Sequence, residues 1–293
     1  MQGKVLRAQN SFFYVATREG LVEAKLRGRL KKERIAVVPG DDVELELTEG
    51  GAGVIERRCE RKSLLRRPLV ANIDQVVLVF AAREPDINPV LIDRFLVLAE
   101  WSKIERIILC INKMDLLGGD GAEIPALAAL YREIGYPVCL LSTVTGEGVA
   151  DMQSLVEGKT SVFAGSSGVG KSSLLNCLTP GIALSTGAVS EKIKRGRHTT
   201  RTAQLLSFAG GFLVDTPGFS ATELAEIEPC ALPGLFPEFR SFFGACRFQP
   251  CTHSHEPDCA VKEAVQAGRI ADSRYASYLE MLQQSVQRKK VYR

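Results

Sequence analysis

The sequence predicts an α/β protein in three parts: a small closed β-barrel, a mostly parallel sheet covered by helices on both faces, and a compact, partly helical C-terminal unit. Three observations predict this. The first 60 or so residues are short alternating or β-branched runs punctuated by glycine; residues 73–164 alternate between apolar runs and segments of helical spacing; and from about residue 225 the chain turns rich in Pro, Phe and Cys. With 293 residues, 45 % of them apolar, the chain has material for more than one core.

In the first part, residues 12–16, 21–26, 35–38 and 43–47 read as strands, with Pro39-Gly40 and Gly50-Gly51 as breaks. Four or five strands in so few residues suggest a closed barrel. An OB-like barrel is the favoured form, because such barrels hide their edges and carry RNA-facing surfaces; an SH3-like docking module is the alternative. Residues 57–68 are charged, end in Arg66-Arg67-Pro68, and read as a linker. Strands over 73–82, 107–112, 137–141 and 161–164, interleaved with helices over 90–101, 125–134 and 149–156, give the sheet; helices near 260–268 and 273–287 close the chain. The expected boundaries are 1–66, 67–224 and 225–293.

Residues 1–70 hold 15 Lys plus Arg against 10 Asp plus Glu, whereas the remainder carries a small acidic excess within a total of +3. A basic first domain suits a polyanion such as RNA, and equally a solvated surface. No run of about 18 apolar residues is present and the first ten lack a signal peptide's apolar stretch, so a cytoplasmic protein with no membrane partner is expected. Cys59, Cys110, Cys139, Cys177 and Cys230 stand alone and read as small apolar side chains in a reducing compartment.

Gly165-Ser166-Ser167-Gly168-Val169-Gly170-Lys171-Ser172 follows a predicted strand and opens an apolar helix at Ser173, the required context for a Walker A loop. Its glycines let backbone N–H groups approach phosphates at a helix N-terminus. Lys171 should reach the β- and γ-phosphates, and Ser172 should ligate Mg²⁺. Asn112-Lys113-Met114-Asp115 ends another predicted strand. A carboxylate at Asp115 accepts from both N1–H and the exocyclic amine of guanine, a donor pair that adenine lacks. Asn112 would tie loops together, the Lys113 stem would cover the base beside Met114, and Ser142-Thr143 fits the loop closing over guanine O6. The nucleotide is therefore GTP or GDP.

Asp215-Thr216-Pro217-Gly218 ends an apolar strand 50 positions after Gly165. It supplies an Mg²⁺-side acid and a γ-phosphate contact from the Gly218 amide. Between them, Gly196-Arg197-His198-Thr199-Thr200-Arg201 suits a first switch, with Thr200 preferred over Thr199 for Mg²⁺. Phe219 occupies the position where Ras-type enzymes carry a water-orienting glutamine. His198 is the candidate to orient water instead; a plain phosphate- or RNA-facing histidine reads equally well. The guanine motif precedes the P-loop, so the order is circularly permuted, which βα units joined by surface loops tolerate. The segment after Gly218 then runs directly into the C-terminal unit, where loss of the γ-phosphate could be felt.

Cys246, Cys251, His253 and Cys259 place three thiols and an imidazole within 14 residues, the ligand set of a closed, structural zinc site. His255 is the substitute ligand.

The permuted order, with a barrel before it and a Cys₃His set after it, resembles the ribosome small-subunit-dependent GTPases, the RsgA or YjeQ family of circularly permuted GTPases, along essentially the whole chain. The resemblance implies an enzyme hydrolysing GTP with ribosome-stimulated turnover. It would bind the 30S subunit and its 16S rRNA late in maturation, leave on hydrolysis and work as a monomer. The basic first domain and Arg288, Lys289, Lys290 and Arg293 agree with rRNA binding. A GTP-gated RNA-binding module with incidental hydrolysis is the competing reading, and Phe219 is its ground.

Overall fold

The computed structural model describes residues 1–9, 11–66, 69–118, 121–179, 203–215 and 227–291. The first part is β1 (Gln2–Gln9), β2 (Phe12–Thr17), β3 (Gly20–Leu26), the short helix α1 (Gly28–Lys32), β4 (Asp42–Leu47) and β5 (Gly53–Arg58). These strands close in the order β1-β2-β3-β5-β4, with β4 returning to β1, an OB-like barrel. Period-two alternation sends Val5, Val15, Ala24, Val43, Leu45 and Ile55 inward, all at most 1 % exposed.

Two expectations are corrected here. Residues 35–38 form no strand: Val37 and Val38 are buried, but the Val38 amide donates to the Asp41 carboxylate at 2.7 Å instead of joining a ladder. Their apolar character serves the barrel core, which Val37 joins and Ile35 packs against, while their backbone forms a seam with the residues after β5, the Ala36 carbonyl accepting from Arg61 and the Pro39 carbonyl from the Ala71 amide. The expected linker over 57–68 is also corrected across residues 57–66, since β5 runs through Arg58 and β6 (Leu64–Arg66) pairs antiparallel with β7 (Leu69–Ala71). Arg61 explains this order. It grips the fully buried Asp41 through Nε at 2.6 Å and Nη2 at 2.8 Å, a fork geometry that lysine could not supply. Asn72 completes the seam, donating to the Gly40 carbonyl at 3.0 Å.

The second part is a six-stranded sheet in the order β10-β9-β8-β11-β13-β12: β8 (Gln75–Ala81), β9 (Arg106–Asn112), β10 (Val138–Leu140), β11 (Thr160–Ala164), β12 (Gln204–Phe208) and β13 (Gly211–Asp215). All pairs are parallel except β12 with β13. Every residue of β8 is buried. Val76, Leu78 and Phe80 join one apolar cluster, whereas Val77, Val79 and Ala81 join the one on the other face. Hence this strand reads as a continuous apolar run. Helices α2 (Pro89–Trp101), α3 (Glu123–Ile134), α4 (Val149–Val156) and α5 (Lys171–Leu178) cover the sheet. Helix α2 starts where Asn88 accepts from the Leu91 amide and Pro89 takes the first turn.

In the C-terminal unit, α6 (Ala260–Gln266) and α7 (Asp272–Val291) follow two 3-10 turns over Leu232–Leu235 and Pro237–Phe242. Helix α7 packs on α2, and Phe236, Phe239 and Tyr278 extend the core of the sheet domain. At this joint Arg274 is 1 % exposed. Its Nη1 meets Asp93 of α2 at 2.5 Å and its Nε meets Glu238 at 2.7 Å. The Tyr131 hydroxyl of α3 donates to the same Asp93 carboxylate at 2.6 Å, and the guanidinium lies 4.7 Å from the Phe236 ring.

Removing one partner of a buried ion pair strands the other charge in a medium that solvates it poorly. Arg274→Met keeps the apolar stem but abandons two carboxylates. It is expected to lower the unfolding free energy by about 3–5 kcal/mol, read from urea denaturation followed by circular dichroism; a loss below about 1 kcal/mol, the range of a surface pair, would show that the network contributes little.

Candidate nucleotide site and metal centre

The predicted nucleotide residues gather at the carboxyl edge of the sheet. Strand β9 delivers Asn112, β10 leads to Ser142, β11 delivers Gly165, and β13 ends at Asp215. Beside β11 the chain connections diverge, β8 going to α2 and β9 on one side and β11 to α5 on the other, the kind of crevice where open α/β sheets bind ligands.

Asn112 sits at the centre, with none of its surface exposed. Its Nδ2 donates to the Val169 carbonyl of the P-loop at 3.0 Å. Its Oδ1 accepts from the amides of Lys113 at 2.7 Å and Thr143 at 3.2 Å. One side chain therefore ties together the three loops that the sequence nominated separately. Two glycines permit this. A Cβ on Gly170, at φ +92°, would lie 2.2 Å from the Asn112 amide nitrogen, and one on Gly165 would lie 2.1 Å from the Val79 carbonyl oxygen.

Asp115, in a 3-10 turn over Met114–Leu116, is exposed. The fully buried Ser142 donates its hydroxyl to the Asp115 carboxylate and accepts from the amides of Val144 at 3.2 Å and Thr145 at 3.1 Å. The acid is thus held in place with one oxygen still able to accept. Lys171 opens α5, and its ammonium donates to the carbonyls of Gly165 at 2.8 Å and Ser166 at 2.7 Å, folding across the loop. Ser166, Ser167, Gly168, Ser172 and Ser173 complete the same loop and first helical turn.

Sequence reasoning missed one contact here. The Lys113 ammonium donates to the Glu84 carbonyl, in the loop between β8 and α2. The acceptor is a backbone oxygen, so no residue type announced it. His198, Thr199, Thr200, Gly218 and Phe219 lie outside the described residues, as does the side chain of Asp215.

A second cluster forms in the C-terminal unit. The ligand atoms of Cys246, Cys251, His253 and Cys259 all lie within 4.8 Å of one another. Cys259 Sγ is 3.9 Å from Cys246 Sγ and 3.8 Å from Cys251 Sγ. Those separations exclude a disulfide of about 2.05 Å and match the edge of a tetrahedron with Zn–S bonds of about 2.3 Å, roughly 3.8 Å. His253 turns Nδ1 toward Cys246 and Cys259 at 3.5 and 3.3 Å. Burial lowers its pKa, which favours the neutral imidazole a metal needs. The Tyr275 hydroxyl donates to the His253 carbonyl at 2.8 Å, and Phe243 stacks on the ring at 5.9 Å. His255 is exposed and hydrogen-bonds Ser254 instead. The set is compatible with zinc.

A family model described as RsgA GTPase matches residues 57–225, more than half of the chain, and one described as RsgA N-terminal domain matches residues 2–55. The chain belongs to the RsgA GTPase family. Its members are GTPases, and the permuted motif order is the family's own arrangement in a solved relative. Among the curated relatives, the small ribosomal subunit biogenesis GTPase RsgA of Caldanaerobacter subterraneus subsp. tengcongensis is 45 % identical over 291 residues, covering 99 % of this chain and 97 % of that one. The protein of the same name from Thermotoga petrophila is 47 % identical over 268 residues, covering 91 % and 90 %. YjeQ from Thermotoga maritima superposes with a TM-score of 0.85 at 41 % identity, covering 97 % of this chain and 98 % of its own. YloQ, described as a circularly permuted GTPase, gives 0.84 at 38 % identity, covering 98 % and 95 %. Among the described residues, no helix is long and apolar enough to cross a membrane.

Metal analysis of the purified protein should find one zinc per chain, lost in Cys251→Ser together with a lower melting temperature. A metal-free preparation with unchanged melting would remove zinc from the structure.

Proposed function

We propose that this protein is a GTPase that binds the small (30S) ribosomal subunit, assists its late maturation, and is released when GTP is hydrolysed to GDP and phosphate. The observation that carries this reading is the buried Asn112 bridge, which joins a P-loop to a guanine-reading loop in permuted order; the relatives' shared name supplies the ribosomal assignment.

In this reading the chain divides at 66 and 224 into an RNA-binding barrel, the GTPase domain and the zinc-holding unit. Asp115 accepts from guanine N1–H and N2–H, the Lys113 stem and Met114 flank the base, and Ser142 and Thr143 hold the loop over O6. The amides of 165–170 surround the phosphates, and Lys171 leaves its loop carbonyls to reach the β- and γ-phosphates. Ser172 and Thr200 hold Mg²⁺ with Asp215 behind it; bound there, the ion neutralises phosphate charge. The Gly218 amide contacts the γ-phosphate, and His198 orients the attacking water where Phe219 cannot. Cys246, Cys251, His253 and Cys259 hold a structural zinc. The partners are the 30S subunit and its 16S rRNA, and the protein works as a cytoplasmic monomer.

Phe219 favours one competing reading, a GTP-gated RNA-binding module in which hydrolysis is incidental. Turnover separates the two. GTP hydrolysis measured at fixed salt should rise strongly with small subunits and not with large subunits or unrelated RNA. Lys171→Ala should reduce the stimulated rate by roughly a hundredfold or more, the scale of losing one preorganised phosphate-side donor. Equal, weak turnover in every mixture would support the module.

Nucleotide choice is checked separately. Asp115→Asn replaces an acceptor by a donor and should weaken GTP binding by about 1.5–3 kcal/mol, the value of a charged hydrogen bond, while xanthosine triphosphate, with a carbonyl at C2, should gain. Unchanged preference in a nucleotide titration would remove Asp115 from base recognition.

A further inference from the structure

The outer face of the barrel carries its cations in two settings. Along β1, β2 and β3 they lie against rings. Arg7 is 4.2 Å from the Tyr14 ring, and the Lys25 ammonium is 4.6 Å from that of Phe12. Phe12 and Tyr14 flank the buried Phe13, so alternation turns both rings outward.

Beyond the end of β3 the cations surround a hollow instead. Arg27 continues the extended backbone, donating its amide to the Ile55 carbonyl at 3.1 Å, and so falls on the same side as Lys25. Next to it a cavity of about 410 Å³ opens between α1 and the end of β5. Its floor is apolar, from Leu30 and Ile35, and its rim holds Arg27, Arg29, Arg57 and Arg58 against a single acid, Glu56. A bulge puts that rim in place: Arg57 pairs with Glu44 and Ile55 with Leu45, which leaves Glu56 without a partner across the ladder.

The four arginines are not equally committed. Arg27 ion-pairs with Glu56, and Arg57 grips Glu44 through Nε at 2.9 Å. Among the described residues Arg29 is ion-paired with Glu33 alone, at 3.1 Å, with its side chain 79 % exposed. Arg58 donates Nη1 to the Ala36 carbonyl at 3.0 Å, but its buried Nε has no hydrogen-bond partner among the described residues. A buried guanidinium N–H with no acceptor is rare in folded proteins, and because Arg58 lines the cavity a turn of its side chain would bring that donor to an anionic oxygen there.

We propose that this arginine-rimmed cavity binds a phosphate of single-stranded RNA, with neighbouring bases stacked on the Phe12 and Tyr14 face. The inference rests on the barrel's being an RNA-binding domain. RNA fits better than a bare anion or an acidic peptide because an apolar floor and a row of outward rings adjoin the cationic rim, the pairing of stacking platform and basic groove by which single strands are held.

The test is fluorescence anisotropy of an end-labelled oligouridylate with the full-length protein across a salt series, with inorganic phosphate and polyglutamate as competitors. Losing one phosphate contact flattens the log–log salt slope by about 0.7 on a single strand. Arg29→Ala should weaken binding and flatten the slope, and Arg29→Ala/Arg58→Gln should weaken it further, with the slope change reaching about 0.7 as the one phosphate is released. Phe12→Leu should weaken binding at every salt concentration with the slope unchanged.

Wild-type affinity and slope in both arginine variants would overturn the pocket while leaving the barrel's RNA role standing. No oligouridylate binding by the wild type would overturn both, and neither result touches the turnover assay. Displacement by polyglutamate with no effect of Phe12→Leu would make the cavity an acidic-peptide site and overturn the proposal. Should circular dichroism show that Arg58→Gln misfolds, the exposed Arg29 decides alone.

Discussion

The Asn112 amide has no access to water, and each of its hydrogen-bonding atoms is engaged by a different loop: Val169 on one side, Lys113 and Thr143 on the other. A buried amide is held this firmly because every unmade bond would leave a polar group unsatisfied in a low-dielectric interior. The loops that carry Val169, Lys113 and Thr143 are therefore fixed relative to each other. Gly170 is the condition for this, since any side chain there would occupy the place of the Asn112 nitrogen.

Permuted connectivity is tolerated for the same reason. The groups gathered here leave the carboxyl ends of β9 and β11, and what fixes them is lateral, from strand to strand and from loop to loop. The order in which the chain visits those strands does not enter into it. The zinc-compatible cluster follows a contrasting logic, with all four ligand groups lying close in sequence and converging inside one small, loop-rich unit.

Much of this was legible in the sequence because local patterns coincide with local structure. Residues 165–173 and 112–115 are contiguous motifs that follow apolar runs, and the strands β8 and β9 announce themselves by near-continuous hydrophobicity. What escaped depends on distance. Residues 35–38 have a strand's composition, yet Val37 packs into the barrel core without joining a ladder and the Val38 amide is taken by Asp41, which no period reveals. Strand β1 mixes Lys4 and Arg7 with Val5, and its alternation is broken by a bulge between Val5 and Arg7. Arg274 lies in a polar stretch of α7 and reads as a surface residue; only packing against α2 shows it to be among the most buried side chains in the chain.

That joint changes what kind of object the C-terminal unit is. Asp93 and Arg274 are 181 residues apart in sequence, but helix α2 serves both halves as a common girder. Its middle is bolted to α7, and its leading end emerges from the loop whose Glu84 carbonyl takes the Lys113 ammonium. The end of the molecule that carries the Cys₃His cluster is therefore not a pendant on a tether. It shares one helix, α2, with the loop whose Glu84 carbonyl receives Lys113, so the two lie on one continuous element.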